Sequence, residues 1–330
     1  MITIGVVACG AVSAACSYNH PAAGNSSPVR TAAGHAFAVR TGVAATTSSS
    51  PSSSLGPSSG LGPSITTPAM PHVMVIVEEN HSYDQVIGNP AMPYLNSLAA
   101  SYGLATNYAG VSHPSEPNYL AMISGSIWNN PQDATPQEST YPGPTLVDQL
   151  AAKGIGWKAY IEDMPTACDT SDNYGPGGYD VNHNPFMYFD SVRNSPAQCA
   201  RDVPYPQFAI DLTSGSAPPF LFVTPNTTHD MHDGTYQQGD RWLAQQFPVI
   251  LASAWYRQGG IVIVTFDEGE TSDQVATIVI SAANHGSRLA APTNHYGLLR
   301  GVEELYGLPL LGAAASTENG DLLPLLRAGG

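Results

Sequence analysis

Two polar pairs stand directly behind apolar runs in this chain: Glu79 and Asn80 after VMVIVE, and Asp267 and Glu268 after VIVTF. Hard oxygen ligands offered from separate strand ends, converging with the hydroxyl of Ser115, predict a site for a divalent cation. Ser115 lies in HPSEPNYLAMISG (113–125), where a hydroxyl meets the start of a predicted helix. The reading gives it the N-cap slot, with Pro117 in the first turn, where a missing N–H costs nothing. A lone serine before a helix is most often only a cap, yet a helix start also attracts anions through its free N–H groups and dipole. Loop carboxylates are ordinarily solvated, and Glu78 is read that way.

Histidines are the second signal. Of the ten present, His113, His183, His229, His232 and His295 fall in predicted loops or helix starts. In PNTTHDMHDG the spacing of His229, Asp230, His232 and Asp233 suits metal ligands or phosphate contacts, or an ordinary surface loop. An imidazole is half charged under mildly acidic conditions, which suits phosphate binding and protonation of a leaving group.

The formal net charge of −15, two lysines, and the lack of any basic residue between Arg40 and Lys153 exclude a nucleic-acid-binding surface. Any phosphate chemistry must draw its positive potential from a metal ion, histidines and helix N–H groups. Cys168 and Cys199 flank a loop-rich insertion and read as a disulfide formed in an oxidising compartment.

The elements that must position these groups follow from the patterning. Residues 1–16 form an apolar, small-residue segment resembling the core of an export signal, without a positive leading region. Cys9 and Cys16 each sit in an imperfect lipobox, so an ordinary cleaved signal and a lipid anchor stand level. Residues 17–70, rich in Ser, Pro and Gly, read as a disordered tether. From 71 to 330 buried-strand runs alternate with helical patterns. VMVIV, WKAYIE, PFLFVTP, GIVIVTF and VATIVIS read as strands; 93–101, the Ser115 segment, TLVDQLAAKG, GDRWLAQQFPVILASAWYRQGG (kinked at Pro248) and HYGLLRGVEELYG read as helices. This alternation predicts an α/β fold, a mostly parallel sheet with helices on both faces, with ligands at the carboxyl ends of the strands.

Several motifs, in order, resemble the bacterial phosphoesterase family of the alkaline-phosphatase-like superfamily: IVEENHSYD, HPSEPNYLAM, YIEDMP, HNPFMYFDSV, DMHDG, GDRWL, VTFDEG and HYGLLRGVEELYGLP. That family includes secreted acid phosphatases and phospholipase C enzymes. The resemblance implies that Glu79, Asn80, Asp267 and Glu268 hold a metal with Ser115 beside it as nucleophile. It implies that Asn118 steadies a phosphoryl oxygen, against an equally weighted reading as a first-turn residue making local bonds. Asp230 and His232 match family positions, His229 does not, and His295 resembles the family's last site element, capping the final helix. His113, His183 and Asp230 are expected on the substrate phosphate. An Asp-Glu pair where zinc-dependent relatives have Asp-His favours calcium, magnesium or manganese over zinc. The expectation is an exported or surface-attached acid phosphatase acting through a phosphoserine, with His232 or His295 protonating the leaving oxygen. A phospholipase C-type diesterase, a phosphoinositide phosphatase and a non-catalytic surface binding protein are the alternatives. The sequence carries no signal for an oligomeric state.

Overall fold

The computed structural model describes residues 70–130, 132–171 and 178–328. The export-like segment with Cys9 and Cys16, and the tether apart from Met70, lie outside the described residues. Strand β1 (His72–Glu78) is buried along six of its seven positions, which is why its apolar residues run without alternation. It pairs in parallel with β6 (Gly260–Phe266) on one side and β5 (Phe220–Thr224) on the other. Beyond β5 the sheet continues in parallel through β3 (Trp157–Ile161) to β4 (Asp202–Pro204). On the other flank, β7 (Gln274–Ile280) runs antiparallel to β6 and to β2 (Gly103–Ala109). The connection 267–273 is too short for a crossover, which needs a dozen or more residues, so β7 must return antiparallel. Two short strands, β8 (Arg288–Leu289) and β9 (Thr293–Asn294), pair in parallel with β2.

The sheet is thus mostly parallel, with helices packed around it. The helix Ser115–Ser124 packs against His295–Tyr306, and Pro93–Ser101 against Tyr236–Ala252. Two expectations are corrected. Ser115 is the first helical residue and Pro114 holds the cap position, so its hydroxyl is released from capping. The long helix starts earlier, at Tyr236, because Thr235 and Gln238 form a capping box; it continues through Pro248 and stops at Ala252. Ser253 then caps a separate short helix, Ala254–Arg257. Cys168 and Cys199 are joined in a disulfide that closes the insertion containing His183.

Candidate active site

The register between β1 and β6 decides the geometry. Glu78 lies opposite Phe266, so both strands end level and their polar pairs emerge side by side. Asn80 leaves β1 in the left-handed region (φ 55°), a conformation asparagine adopts more readily than most residues. Its N–H donates to Asp267 Oδ1 at 3.1 Å, tying the two strand ends together. The Ser115 hydroxyl, only 5% exposed, donates to Glu79 Oε2 at 3.1 Å and lies 3.5 Å from Asn80 Oδ1. The Asn80 amide tip is 3.2 Å from Glu79 Oε2 and 3.3 Å from Glu268 Oε1. In one orientation its NH2 donates to both; in the other its oxygen joins theirs. Gly110 completes the packing, since a Cβ there would come 2.9 Å from the Asp267 carbonyl.

This donor set fits a cation. Asp267 is fully buried and its Oδ2 has no hydrogen-bond partner among the described residues. Burial drives the Glu79 carboxyl well above its ordinary range, with the charges of Asp267 and Asp230 adding to the effect. Glu268 is pushed up to about 7 by burial and by Asp267. A positive ion among these oxygens would reverse those shifts.

A second group adjoins the first through Glu79. His183, buried in a 3-10 turn, lies 3.6 Å from Glu79 Oε1 and 3.3 Å from Asp230 Oδ2. Ligand atoms of Glu79, His183 and Asp230 all fall within 4.8 Å of one another, so this buried trio could itself hold a metal ion. Burial alone would lower the His183 pKa, but the Asp230 hydrogen bond and the charges of Asp180, Asp230 and Asp267 raise it to about 9. Tyr119 stacks on the His183 ring (5.3 Å, 8°) and donates its hydroxyl to Glu79 Oε1. Sequence patterning saw Tyr119 only as core, because its ring is fully buried and only its hydroxyl reaches the site.

Other expected residues take different places. Asn118 spends its amide on the 111–114 loop, accepting from Val111 and Ser112 N–H and donating to the Ser112 and Pro114 carbonyls. It braces the approach to Ser115, the local-bond reading. His295 is the residue after the cap: Asn294 caps the helix, accepting from Tyr296 and Gly297 N–H. The His295 ring is fully buried between the Tyr108 hydroxyl (2.9 Å) and the Asp267 carbonyl, and burial lowers its pKa to about 4. It steadies the Asp267–Glu268 turn and is ill placed to protonate a leaving group. Neither His183 nor Asp230 faces outward as a phosphate contact; Asp230 is buried, accepting the His232 N–H at 2.8 Å. His232 itself keeps its side chain 26% exposed, with Nδ1 3.2 Å from Asp233. His113 stands at the rim between Glu268 (2.7 Å) and Asp273 (3.0 Å), its pKa raised chiefly by the Asp273 hydrogen bond.

Two acids escaped the sequence reading. Glu78 is no solvated carboxylate: it is fully buried, neither oxygen has a hydrogen-bond partner among the described residues, and burial raises its pKa far above the usual range. Glu116, next to Ser115, is also fully buried and is driven up to about 8 by burial, although it accepts the Ala134 N–H at 2.6 Å. An acid inside a helix or at a strand end gives no sequence sign of burial.

Comparison with known proteins agrees with this architecture. A family model described as the Phosphoesterase family matches residues 89–309, a span that Glu79 and Asn80 precede. The phosphatidylinositol-3-phosphatase of Mycobacterium tuberculosis is 31% identical over 252 residues, covering 76% of this chain and 81% of that protein. A probable acid phosphatase of Kluyveromyces lactis is 32% identical over 260 residues, covering 74% of this chain but 60% of its own length. A crystal structure from the alkaline phosphatase superfamily, from Vibrio parahaemolyticus, shares the fold at 14% identity and a TM-score of 0.53, over 75% of this chain and 70% of that one. With its mostly parallel sheet and its oxygen-rich cluster at the strand ends, the chain belongs to the phosphoesterase family, hydrolases acting on phosphoric ester bonds.

Proposed function

We propose that this protein is a metal-dependent phosphomonoesterase of the acid phosphatase type, with Ser115 as nucleophile. The observation that carries the reading is the Ser115 hydroxyl, freed from capping and set 3.1 Å from Glu79 Oε2 among converging oxygens. When Glu79 is ionised, that oxygen is in place to accept the Ser115 proton before any substrate arrives. Glu79, Asn80, Asp267 and Glu268 are the residues that would hold a divalent cation beside Ser115. When bound, the ion supplies positive charge that lowers the hydroxyl's pKa and offsets charge on the phosphoryl oxygens. The all-oxygen set suits calcium, magnesium or manganese over zinc. Ser115 attacks phosphorus in line, His232 gives a proton to the leaving oxygen, and water then opens the phosphoserine. His295, buried and neutral, is set aside as that acid.

Soluble phosphomonoesters at mildly acidic pH are the favoured substrates, because a net charge of −15 repels anionic bilayers. The mycobacterial relative's name supports a second reading, a phosphoinositide monoester. Export is supported by the Cys168–Cys199 disulfide, which belongs to oxidising compartments, and a lipid anchor at Cys9 or Cys16 remains part of the proposal. Among the described residues no helix is long and apolar enough to cross a membrane. The deciding assay compares chromogenic phosphate monoesters and diesters with and without chelator. Monoester turnover abolished by chelation is the expected result; diester preference would move the protein to the phospholipase C class, and full activity after exhaustive chelation would refute the metal.

A further inference from the structure

A second cavity opens at the same end of the sheet, at the carboxyl end of β3. It measures about 190 Å³ and is lined by His229, Gln238, Arg241, Trp242 and Gln245. Two lining residues are held from behind by Glu162, the residue after β3, whose Oε2 accepts from His229 Nδ1 (2.9 Å) and the Asn226 N–H (3.0 Å) and whose Oε1 accepts from Trp242 Nε1 (3.3 Å). Those bonds occupy both carboxylate oxygens, and no acidic side chain is among the residues that line the cavity.

Arg241 brings a fixed positive charge to the cavity. Most cations of the described residues are spent on the protein: Lys158 on Asp211, Arg300 on Glu304, and Arg193, Arg257 and Arg288 on backbone carbonyls. Arg241 has no side-chain hydrogen bond or ion pair among the described residues. A guanidinium carries its charge at all working pH values and matches a phosphate with a planar fork of donors. Gln238 gives its carbonyl to the Thr235 cap, which leaves its NH2 as a further donor, and Gln245 lies two helical turns along. His229 and Asp230 are consecutive, so one loop serves both sites. The β3 end stands two strands from β1, across β5, a separation of about 10 Å at ordinary strand spacing.

We propose that this cavity is a leaving-group subsite that takes a second phosphate on the substrate, so that bisphosphorylated small molecules are preferred over simple monoesters. The inference rests on the phosphomonoesterase reading and adds a substrate class to it. The first arm of the test is calorimetry on Ser115→Ala with divalent cation present, comparing fructose 1,6-bisphosphate with fructose 6-phosphate. The bisphosphate is expected to bind about tenfold tighter, the worth of one charge-assisted contact. Adding Arg241→Ala should erase that advantage and leave fructose 6-phosphate affinity within about twofold, while Arg241→Lys should keep part of it. In the second arm, Arg241→Ala with Ser115 intact should turn over p-nitrophenyl phosphate like the wild type and lose kcat/KM on the bisphosphate through KM. Equal affinity for the two sugars, or an advantage that survives Arg241→Ala, overturns the subsite. A wild type inert on p-nitrophenyl phosphate would count against the phosphatase reading alone, because the calorimetric arm judges the cavity without turnover.

Discussion

Replacing Tyr119 with phenylalanine removes one oxygen and little else. The ring keeps its place against His183, and Glu79 Oε1 loses its hydrogen bond, since His183 Nε2 at 3.6 Å is too far to replace it. Glu79 is fully buried, so water cannot fill the gap cheaply. A hydrogen bond to a charged acceptor contributes about 1.5–3 kcal/mol, roughly 10- to 150-fold in any equilibrium that needs Glu79 ionised. Cation binding is such an equilibrium, and loss of a partner behind a ligand commonly weakens metal affinity by about 10- to 100-fold. The Tyr119 hydrogen bond also holds the Glu79 pKa down against burial, so its removal lets protons compete harder with the metal. The assay is phosphatase activity against added magnesium, calcium or manganese at a mildly acidic and a neutral pH. Tyr119→Phe should shift the half-saturating metal concentration upward by about tenfold or more, more strongly at the lower pH, with most of kcat recovered at saturation. An unshifted metal requirement at both pH values would refute the reasoning.

Four further outcomes follow from the same geometry. Ser115→Ala should abolish turnover while metal content and thermal stability stay near those of the wild type; near-normal activity would exclude the nucleophile. Asp267→Asn should lower kcat by at least about a hundredfold, as loss of a group supporting transition-state charge does. The metal-free protein should lose stability as pH rises, because Glu79, Glu268 (about 7) and Glu116 (about 8) hold protons in the folded state that the unfolded chain releases near 4.5. Its Tm should therefore fall from pH 5 toward pH 8, with the increment on adding divalent cation growing over the same range; a flat apo profile would contradict this. Cys168→Ser with Cys199→Ser should cost about 2–4 kcal/mol in denaturant unfolding, given a sequence separation of 31 residues, and unchanged stability would show the clamp to be idle.

The fold was legible because buried parallel strands leave continuous apolar runs, as VMVIV and GIVIVTF do, and because Gly154 and Gly307 stop helices with positive φ. The strand-end oxygens and Ser115 were legible for a related reason: polar residues immediately after such runs must emerge at one edge of the sheet. What stayed hidden was depth. Glu78 and Glu79 are neighbours of identical chemistry and both fully buried, yet neither burial nor partners could be assigned to Glu78 from its type. His295 and His232 looked interchangeable as acids until packing buried one and left the other at the surface. The cap at Ser115 was misplaced by one residue, within the ordinary imprecision of helix ends, but that residue decides whether the hydroxyl serves the backbone or the site.

The level ending of β1 and β6 has a consequence for folding quality control. Glu79 and Asp267 stand together because Glu78 pairs with Phe266, and a slip of one residue would turn the polar groups of one strand end to the wrong face. The cage therefore exists only in the correctly zipped sheet, assembled from segments nearly two hundred positions apart in sequence. Any ion that settles there stabilises that one pairing over all others by mass action. If the proposed cation binds there, metal stoichiometry in a purified sample becomes a gauge of native strand register, readable without substrate.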